Sequence, residues 1–194
     1  MELSVLEKRD DVIKKSAKLF YYNGYNNTGL SMILKECNIP KGSFYYYFKN
    51  KEDLLINVIE YHTDKLLNFF DYNVDDLEIE KLRTFFKKYF LSIEKNQYHG
   101  GSILGNLAIE MSDINDEVRQ KILDNYRKIE LRLILYLEML KKSKLEYMNL
   151  DAEMTAKIIL NQMEGTMLRL KLNKDSKEVL AFFSLFDKIF NIAR

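Results

Sequence analysis

The stretch "NIPKGSFYYYFKNKEDLL", residues Asn38 to Leu55, decides how the N-terminal part of the chain folds. It combines one proline, one glycine, five consecutive aromatic residues, three lysines and two acidic residues in a short space. Five consecutive aromatic residues cannot all face the interior of one helix, because successive helical positions point in different directions. The three tyrosines Tyr45, Tyr46 and Tyr47 therefore indicate an outward surface built from rings and hydroxyl groups.

The whole chain is predicted to be all-α. Its 194 residues include only seven Gly and one Pro, so few residues break a helix. Apolar residues recur at helical spacing, and no credible pair of strands is found. We predict about nine helices, over approximately residues 4–23, 30–37, 41–47, 51–70, 77–95, 103–112, 116–144, 152–172 and 177–192.

The second and third predicted helices are short and are joined by about three residues. Thr28 or Ser31 is expected to cap the second helix, and Asn50 the fourth. Two short helices in this arrangement are the layout of a helix-turn-helix, in which the later helix enters the DNA major groove. We predict a DNA-binding domain over residues 1–50 and a second domain over residues 51–194.

The distribution of charge supports a polyanion-binding N-terminal part. Residues 1–51 carry nine Lys or Arg and five Asp or Glu, although the whole chain has a formal net charge of only +1. A basic N-terminal part on a mildly acidic body suits contact with nucleic acid. Many proteins have such an excess, so the charge supports the motif and does not replace it.

Several classes of protein are not expected. Cys37 is the single cysteine, which excludes an internal disulfide and fits a reducing compartment. His62 and His99 share no ligand spacing with another His or Cys, so we predict no metal and no cofactor. No catalytic motif is found, and the chain is predicted not to be an enzyme. No signal peptide and no long apolar run is seen, so we expect a cytoplasmic protein without membrane contact.

The N-terminal motif resembles a known family. Gly24-Tyr25, Thr28 and "KGSFYYYFKNKEDL" are similar to the N-terminal signature of the TetR family of transcriptional regulators, over about residues 8–55. The chain length and helix count also fit that family. "GGSILGNLAIEMSD", residues 100–113, is similar to a second motif in some members, where a Cys often stands at the position of Ser102. The resemblance implies a bacterial repressor that binds a palindromic operator as a homodimer and releases it when a small molecule enters the C-terminal domain.

The motif assigns residues to DNA contact. Lys41 is expected to reach a phosphate or a guanine edge, and Gly42 to let the helix approach the phosphate backbone. Tyr46 stands at a variable position and is predicted to contact a base, and Tyr47 a phosphate. Pro40 departs from the family, which commonly has a small polar capping residue there. The predicted DNA-binding residues are Thr28, Ser31, Pro40, Lys41, Gly42, Ser43, Tyr45, Tyr46, Tyr47 and Lys51.

The last two predicted helices are apolar on more than one side. Such helices bury one face in their own bundle and the other against a partner, and a glycine lets two helices approach closely. We therefore predict a four-helix dimer interface, as the family implies. Its expected residues are Ile159, Gly165, Phe182, Phe183, Phe186, Ile189 and Phe190.

Aromatic residues and methionines in the middle of the C-terminal part suit a pocket for a hydrophobic or aromatic effector. Asn106, Glu110 and Gln162 are polar residues among apolar ones and are candidates to orient it, although for any of these residues a place in the core is an equal alternative. The predicted ligand-binding residues are Phe86, Tyr89, Phe90, Ile93, Asn106, Leu107, Glu110, Met111, Tyr126, Leu133, Gln162 and Met163.

Two other functions remain open at this stage. One is an activator or a constitutive, nucleoid-type DNA binder with the same N-terminal domain. The other is a small-molecule-binding or scaffold protein whose DNA-binding domain has lost its function, a possibility that Pro40 alone encourages.

Overall fold

The computed structural model describes residues 4–192, and within that range it contains nine α-helices and no strand. The predicted all-α fold is thereby confirmed. No helix in this range is both long and apolar enough to cross a bilayer. The helices are α1 Val5–Asn23, α2 Leu30–Cys37, α3 Lys41–Tyr47, α4 Lys51–Asn73, α5 Ile79–Lys95, α6 Ile103–Met111, α7 Asp116–Ser143, α8 Ala152–Asn173 and α9 Val179–Ile189. Two 3₁₀ turns, Leu145–Tyr147 and Ser176–Glu178, precede α8 and α9 respectively.

The chain divides into two compact units. The head unit consists of the residues up to Lys65 together with Ile103–Tyr126, and the body unit consists of Leu66–Ser102 together with the residues from Arg127 onward. Helices α4 and α7 each contribute residues to both units. The boundary predicted between residues 50 and 51 does not coincide with the division into these compact units, and it stays a prediction.

Helix α1 shows how local signals build the head unit. The Ser4 hydroxyl accepts a hydrogen bond from the Glu7 amide, and the Glu7 carboxylate accepts one from the Ser4 amide, which forms a capping box. The helix ends at Gly24, whose φ of 79° suits a residue without a side chain. Between these ends, Val12, Ala17 and Phe20 are buried in the core of the head.

The body unit is held together by aromatic rings from α5 and α9. The Phe182 ring centroid lies 4.9 Å from that of Phe86 and 4.9 Å from that of Phe90. Arg83 and Asp187 form an ion pair at 2.8 Å beside these rings. Each buried aromatic residue removes a large apolar area from water, so this cluster is a main source of stability in the body.

The predicted caps and ends differ from the structure in a few places. Gly29 precedes α2 without a side-chain hydrogen bond, so neither Thr28 nor Ser31 caps that helix. Asp175 caps the turn before α9 by accepting from the Lys177 amide. The observed α4 is three residues longer than predicted and α9 is shorter at both ends, as expected where terminal turns are weakly specified.

Candidate nucleic-acid interface and effector cavity

Helix α3 has one buried and one open face. Phe44 is fully buried and Phe48 is 2% exposed, so these two rings fix the helix to the head. Tyr46 is 71% exposed and Tyr45 is 50% exposed, whereas Tyr47 is half-buried with its ring centroid 5.3 Å from that of Tyr46. The predicted inward phenylalanines and the predicted outward Tyr45 and Tyr46 are confirmed, whereas Tyr47 is only partly exposed.

The first turn of α3 is also open. Pro40 occupies the N-cap, and its carbonyl accepts from the amides of Ser43 and Phe44, so the helix starts without a capping side chain. Lys41 is exposed, and its ammonium lies 6.0 Å from the Tyr45 ring centroid. Ser31 of α2 is exposed as well, and Ser43 is half-buried.

Gly42 is not required by the fold. A methyl group added to its α-carbon would meet no atom within 4 Å, and its backbone is not left-handed. Glycine in a helix costs about 1 kcal/mol relative to alanine. The free chain is therefore less stable with glycine here, although no contact in the structure requires the absence of a side chain. A glycine on an open face is explained when an external backbone approaches that face closely.

Thr28 is placed differently from the prediction. Its side chain is fully buried, and its hydroxyl donates to the Gly24 carbonyl at 2.7 Å. The hydroxyl therefore closes the turn between α1 and α2. A direct contact between the Thr28 side chain and DNA is contradicted by this burial.

Lys51 supports the same turn. Its ammonium donates to the carbonyls of Tyr25 and Thr28, each at 2.9 Å, and lies 3.8 Å from the Tyr25 ring centroid. Burial lowers the pKa of Lys51, and the carboxylates of Glu52 and Glu110 oppose that change. This placement gives Lys51 a positioning role within the head. The ammonium has a third N–H donor, and its contact with DNA stays a prediction.

Glu110 of α6 holds this turn from another side. Its carboxylate accepts from the Asn26 amide at 3.0 Å, and a side-chain carbon on Gly24 would lie only 2.5 Å from the Glu110 Oε1 atom. The carboxylate therefore fills the space that the glycine leaves. Glu110 thus connects α6 to the α1–α2 turn and does not line the cavity described below, so its predicted contact with a ligand stays a prediction.

An apolar cavity lies in the body unit between α4, α5, α7 and α8. The cavity itself is small, about 20 Å³, and it opens to solvent at its mouth. Three predicted ligand-binding residues, Phe86, Leu133 and Met163, are in its wall. The wall also contains Leu66, Leu67, Phe70, Phe85, Ile129, Arg132 and Leu160, which sequence reasoning missed.

The other predicted ligand-binding residues are not part of this wall. Phe90 and Ile93 are buried in the aromatic core, and Tyr89 and Gln162 are half-buried outside the cavity. Asn106, Leu107, Met111 and Tyr126 belong to the head unit and do not line it either. The sequence pattern that could have indicated the cavity lies in α4, where Leu66, Leu67 and Phe70 share one helical face.

The predicted dimer residues are mostly in the body's own core. Ile159, Phe182, Phe186 and Phe190 are each no more than 2% exposed, because they pack against α5 and against one another. Phe183 and Ile189 are half-buried, and Gly165 alone is fully open. As members of a partner contact, the four buried residues are therefore wrong predictions.

Other apolar residues of α8 and α9 are exposed. Its members on α8 repeat at three-, four- and seven-residue intervals, which aligns them along one side of the helix. We call this set the outer seam; it consists of Met154, Ile158, Gly165, Leu168 and Leu172 of α8 and Leu180 of α9.

Comparison with known proteins agrees with this architecture. Residues 12–58 match the family model described as bacterial regulatory proteins, tetR family, and residues 79–185 match the tetracyclin repressor-like C-terminal domain. An HTH-type transcriptional regulator in the lacX 3' region of Lactococcus lactis is 26% identical over 94% of this chain and 92% of its own length. The transcriptional repressor DhaR of a Mycobacterium species is 22% identical over 91% and 89% respectively.

A solved structure shows the same fold. The crystal structure of the regulatory protein TetR from Rhodobacter sphaeroides superposes with a TM-score of 0.82, covers 93% of this chain and 97% of its own, and is 24% identical. The second family model alone spans more than half of the chain. The outward tyrosines of α3, the helix order and both family models together show that this chain belongs to the TetR family of DNA-binding transcriptional regulators.

Proposed function

We propose that this regulator is a repressor that binds a palindromic operator as a homodimer in the cytoplasm and catalyses no reaction. The observation that carries the proposal is the open face of α3, where Tyr45 and Tyr46 project outward from a helix anchored by Phe44 and Phe48. Tyrosine rings contact thymine methyl groups, and their hydroxyls bond base edges or phosphates. The open glycine at residue 42 lets the first turn lie against the DNA backbone.

Repression is supported by the relatives. One of the similar full-length proteins is named a transcriptional repressor, and the others reported above are named regulators. A bound dimer blocks transcription simply by occupying its operator. Activation needs a further contact with the transcription machinery, for which no described surface gives an argument.

The outer seam supports the homodimer. Leu168, Leu172 and Leu180 are 54%, 70% and 64% exposed in the single chain, although leucine gains free energy when it is buried. Gly165 lies within the seam and lets a second helix approach closely. Two copies joined along this face bury the same patch twice, as a twofold interface requires.

The cavity supports a hydrophobic or aromatic effector. Three of its residues, Leu66, Leu67 and Phe70, belong to α4, the helix that begins at Lys51 in the head unit. A ligand that binds better when α4 is displaced shifts the population away from the DNA-binding state. Helix α6 is a second element that can transmit the change within the head unit, because the Glu110 carboxylate accepts a hydrogen bond from the turn before α2.

The test is binding of the purified protein to its own upstream DNA over a salt series, with Lys41→Ala beside it. Nanomolar, sequence-selective binding is expected for a dimer on an operator. Lys41→Ala is expected to weaken binding to all sequences and to reduce the salt slope by about one per lost phosphate contact. Lys142→Ala, an exposed lysine near the end of α7, is the matched control and should change neither quantity.

Three results would contradict parts of the proposal. A steep salt slope without selectivity indicates a non-specific binder, and no DNA binding at low salt indicates a protein whose head has lost its function. Sedimentation as a monomer at micromolar concentration excludes the homodimer.

A further inference from the structure

The cavity wall contains one charge in otherwise apolar surroundings. Among the described residues that line it, Arg132 of α7 is the only one with an ionised side chain, and the other nine are aliphatic, aromatic or methionine. A small number of placed polar groups in an apolar wall usually orients the ligand. The sign of this charge therefore carries information about the effector.

The Arg132 guanidinium is held at the cavity by the wall itself. Its central carbon lies 4.7 Å from the ring centroid of Phe70, which lines the cavity and is only 6% exposed. A guanidinium over an aromatic face is attracted by the ring and loses orientational freedom. The guanidinium is thus held in one orientation beside the cavity rather than moving freely in solvent.

The present partner of Arg132 is an exposed carboxylate. Asp71 of α4 accepts from the Nε atom at 2.7 Å, and its nearest contact to Nη2 is 2.6 Å. The Arg132 and Asp71 side chains are 34% and 54% exposed, and ion pairs of such exposure contribute little to stability. Another carboxylate can therefore replace or join Asp71 at a small cost, because a guanidinium has five N–H donors.

We propose that the effector is an amphipathic anion, whose apolar body enters and widens the cavity and whose carboxylate binds Arg132. This inference rests on the proposed function, because it names the chemical class of the effector at the same site. A carboxylate matches the planar guanidinium with two parallel hydrogen bonds, an alcohol offers at most one neutral bond, and an amine is repelled.

Binding of such an anion also acts on α4. Asp71 lies two residues before the end of that helix, and its bond to Arg132 ties α4 to α7 within the body unit. An effector carboxylate that takes over the guanidinium releases this tie while the apolar body presses on Leu66, Leu67 and Phe70. One ligand thus both loosens and displaces the helix that continues into the head unit.

The test uses two series of probes that differ only in the head group. One series is octanoate, octanol and octylamine, and the other is phenylbutanoate, phenylbutanol and phenylbutylamine, so that aliphatic and aromatic bodies are both covered. Binding is measured by calorimetry on the full chain near neutral pH. In at least one series the acid is expected to bind about tenfold more tightly than its alcohol, and the amine more weakly than either.

Two variants locate the effect. Arg132→Gln keeps a polar side chain but removes the charge, and it should abolish the preference for the acid. Asp71→Asn leaves the cavity wall intact and removes the competing carboxylate, so it should strengthen binding of the acid. Arg169→Gln is the matched control, because Arg169 is also paired with a carboxylate, that of Glu178, but does not line the cavity.

The outcomes are distinguishable. The proposal is overturned when neither acid binds more tightly than its own alcohol and amine at probe concentrations up to millimolar. It is also overturned when no probe binds, or when the preference for the acid survives Arg132→Gln. Circular dichroism of each variant separates loss of folding from loss of affinity, and Asp71→Asn provides a second test that removes no wall residue. Operator binding by the ligand-free protein is measured in parallel, since it tests the proposed function without reference to any head group.

Discussion

Helices α3 and α9 both carry clustered aromatic rings, but they use their outward faces differently. In α3 the buried residue is Phe44 and the exposed aromatic residues are Tyr45 and Tyr46. In α9 the buried rings are Phe182 and Phe186, and the outward position is taken by Leu180, which is 64% exposed. Rings with hydroxyl groups suit a partner that presents phosphates and base edges, whereas a plain aliphatic side chain suits a protein partner that excludes water.

The largest expected effect tests the inner face of α9. Phe182→Ala removes a ring that is 1% exposed and that contacts Phe86 and Phe90, so it should lower the free energy of unfolding by about 3–5 kcal/mol. Urea denaturation at several protein concentrations measures this loss. The loss should be present at every concentration, because the contacts lie within one chain.

Leu180→Ala is the comparison within the same helix. Its effect should depend on protein concentration, since an outward leucine is buried only when a second copy is present. If Phe182→Ala instead left the unfolding free energy unchanged and only dissociated the dimer, the assignment of the two faces would be reversed.

The next effect concerns acid stability of the head. Burial lowers the pKa of His62 to about 4, while a hydrogen bond with the Ala17 backbone opposes the shift and the nearby Lys65 ammonium adds to it. The folded head therefore binds fewer protons than the unfolded chain, so His62 supports stability above pH 6.5 and this support is lost as the pH falls toward 4. The loss should be at most about 3 kcal/mol.

His62→Gln removes the titration, and the difference between the two proteins is measured by unfolding at several pH values. The wild type should lose more stability than the variant between pH 6.5 and pH 4, with the carboxylates common to both cancelling in the comparison. Equal losses would mean that folding does not lower the pKa of His62. His62 also packs on Tyr21, with 6.4 Å between ring centroids, so the variant's stability at neutral pH must be recorded first.

A third effect separates the open face of α3 from its anchor. Tyr46→Ala should reduce selective operator affinity by about 1–3 kcal/mol and leave the free energy of unfolding within about 0.5 kcal/mol of the wild type. Fluorescence anisotropy with operator and scrambled DNA measures the first quantity, and urea denaturation the second. The matched control is Tyr72→Ala, since Tyr72 is an 83% exposed tyrosine on α4. Equal losses of affinity in both variants would show that the effect is not one of base contact.

The smallest effects have the opposite sign. Gly42→Ala and Gly165→Ala should each raise the unfolding free energy of the single chain by about 0.5–1 kcal/mol, because neither glycine is needed for space or for a left-handed backbone. Gly42→Ala should weaken operator binding and leave the dimer intact, and Gly165→Ala should weaken the dimer. Thermal unfolding, anisotropy and sedimentation measure the three quantities, and unchanged affinities would mean that no partner approaches these positions.

The contrast between α3 and α9 also marks how far sequence reasoning reached. In α3 a dense motif fixed both the helix and its faces, and Phe44, Phe48, Tyr45 and Tyr46 lie as expected. In α8 and α9 the apolar residues occupy more than one face, and periodicity alone does not say which face meets the chain's own core. The bulkier phenylalanines were assigned outward, whereas the structure buries them because they fill more of the core.

Polar residues show a similar limit. Glu110 was assigned to a ligand because it stands among apolar residues, yet its carboxylate fills the space above Gly24 and bonds the Asn26 amide, some 84 positions away in sequence. Arg132 was missed for the opposite reason, because an arginine on a long charged helix looks like ordinary surface. Both assignments depend on contacts between distant segments, which one sequence without relatives does not specify.

The two open glycines have a consequence for attempts to improve this protein. A selection that ranks variants only by melting temperature will favour alanine at residues 42 and 165, since each change is expected to stabilise the free chain. The winners of such a selection would be more heat-resistant and less able to bind DNA or one another. Any thermostable version should therefore be screened for DNA binding and for self-association at every round, because partners are predicted to approach the chain at these two positions.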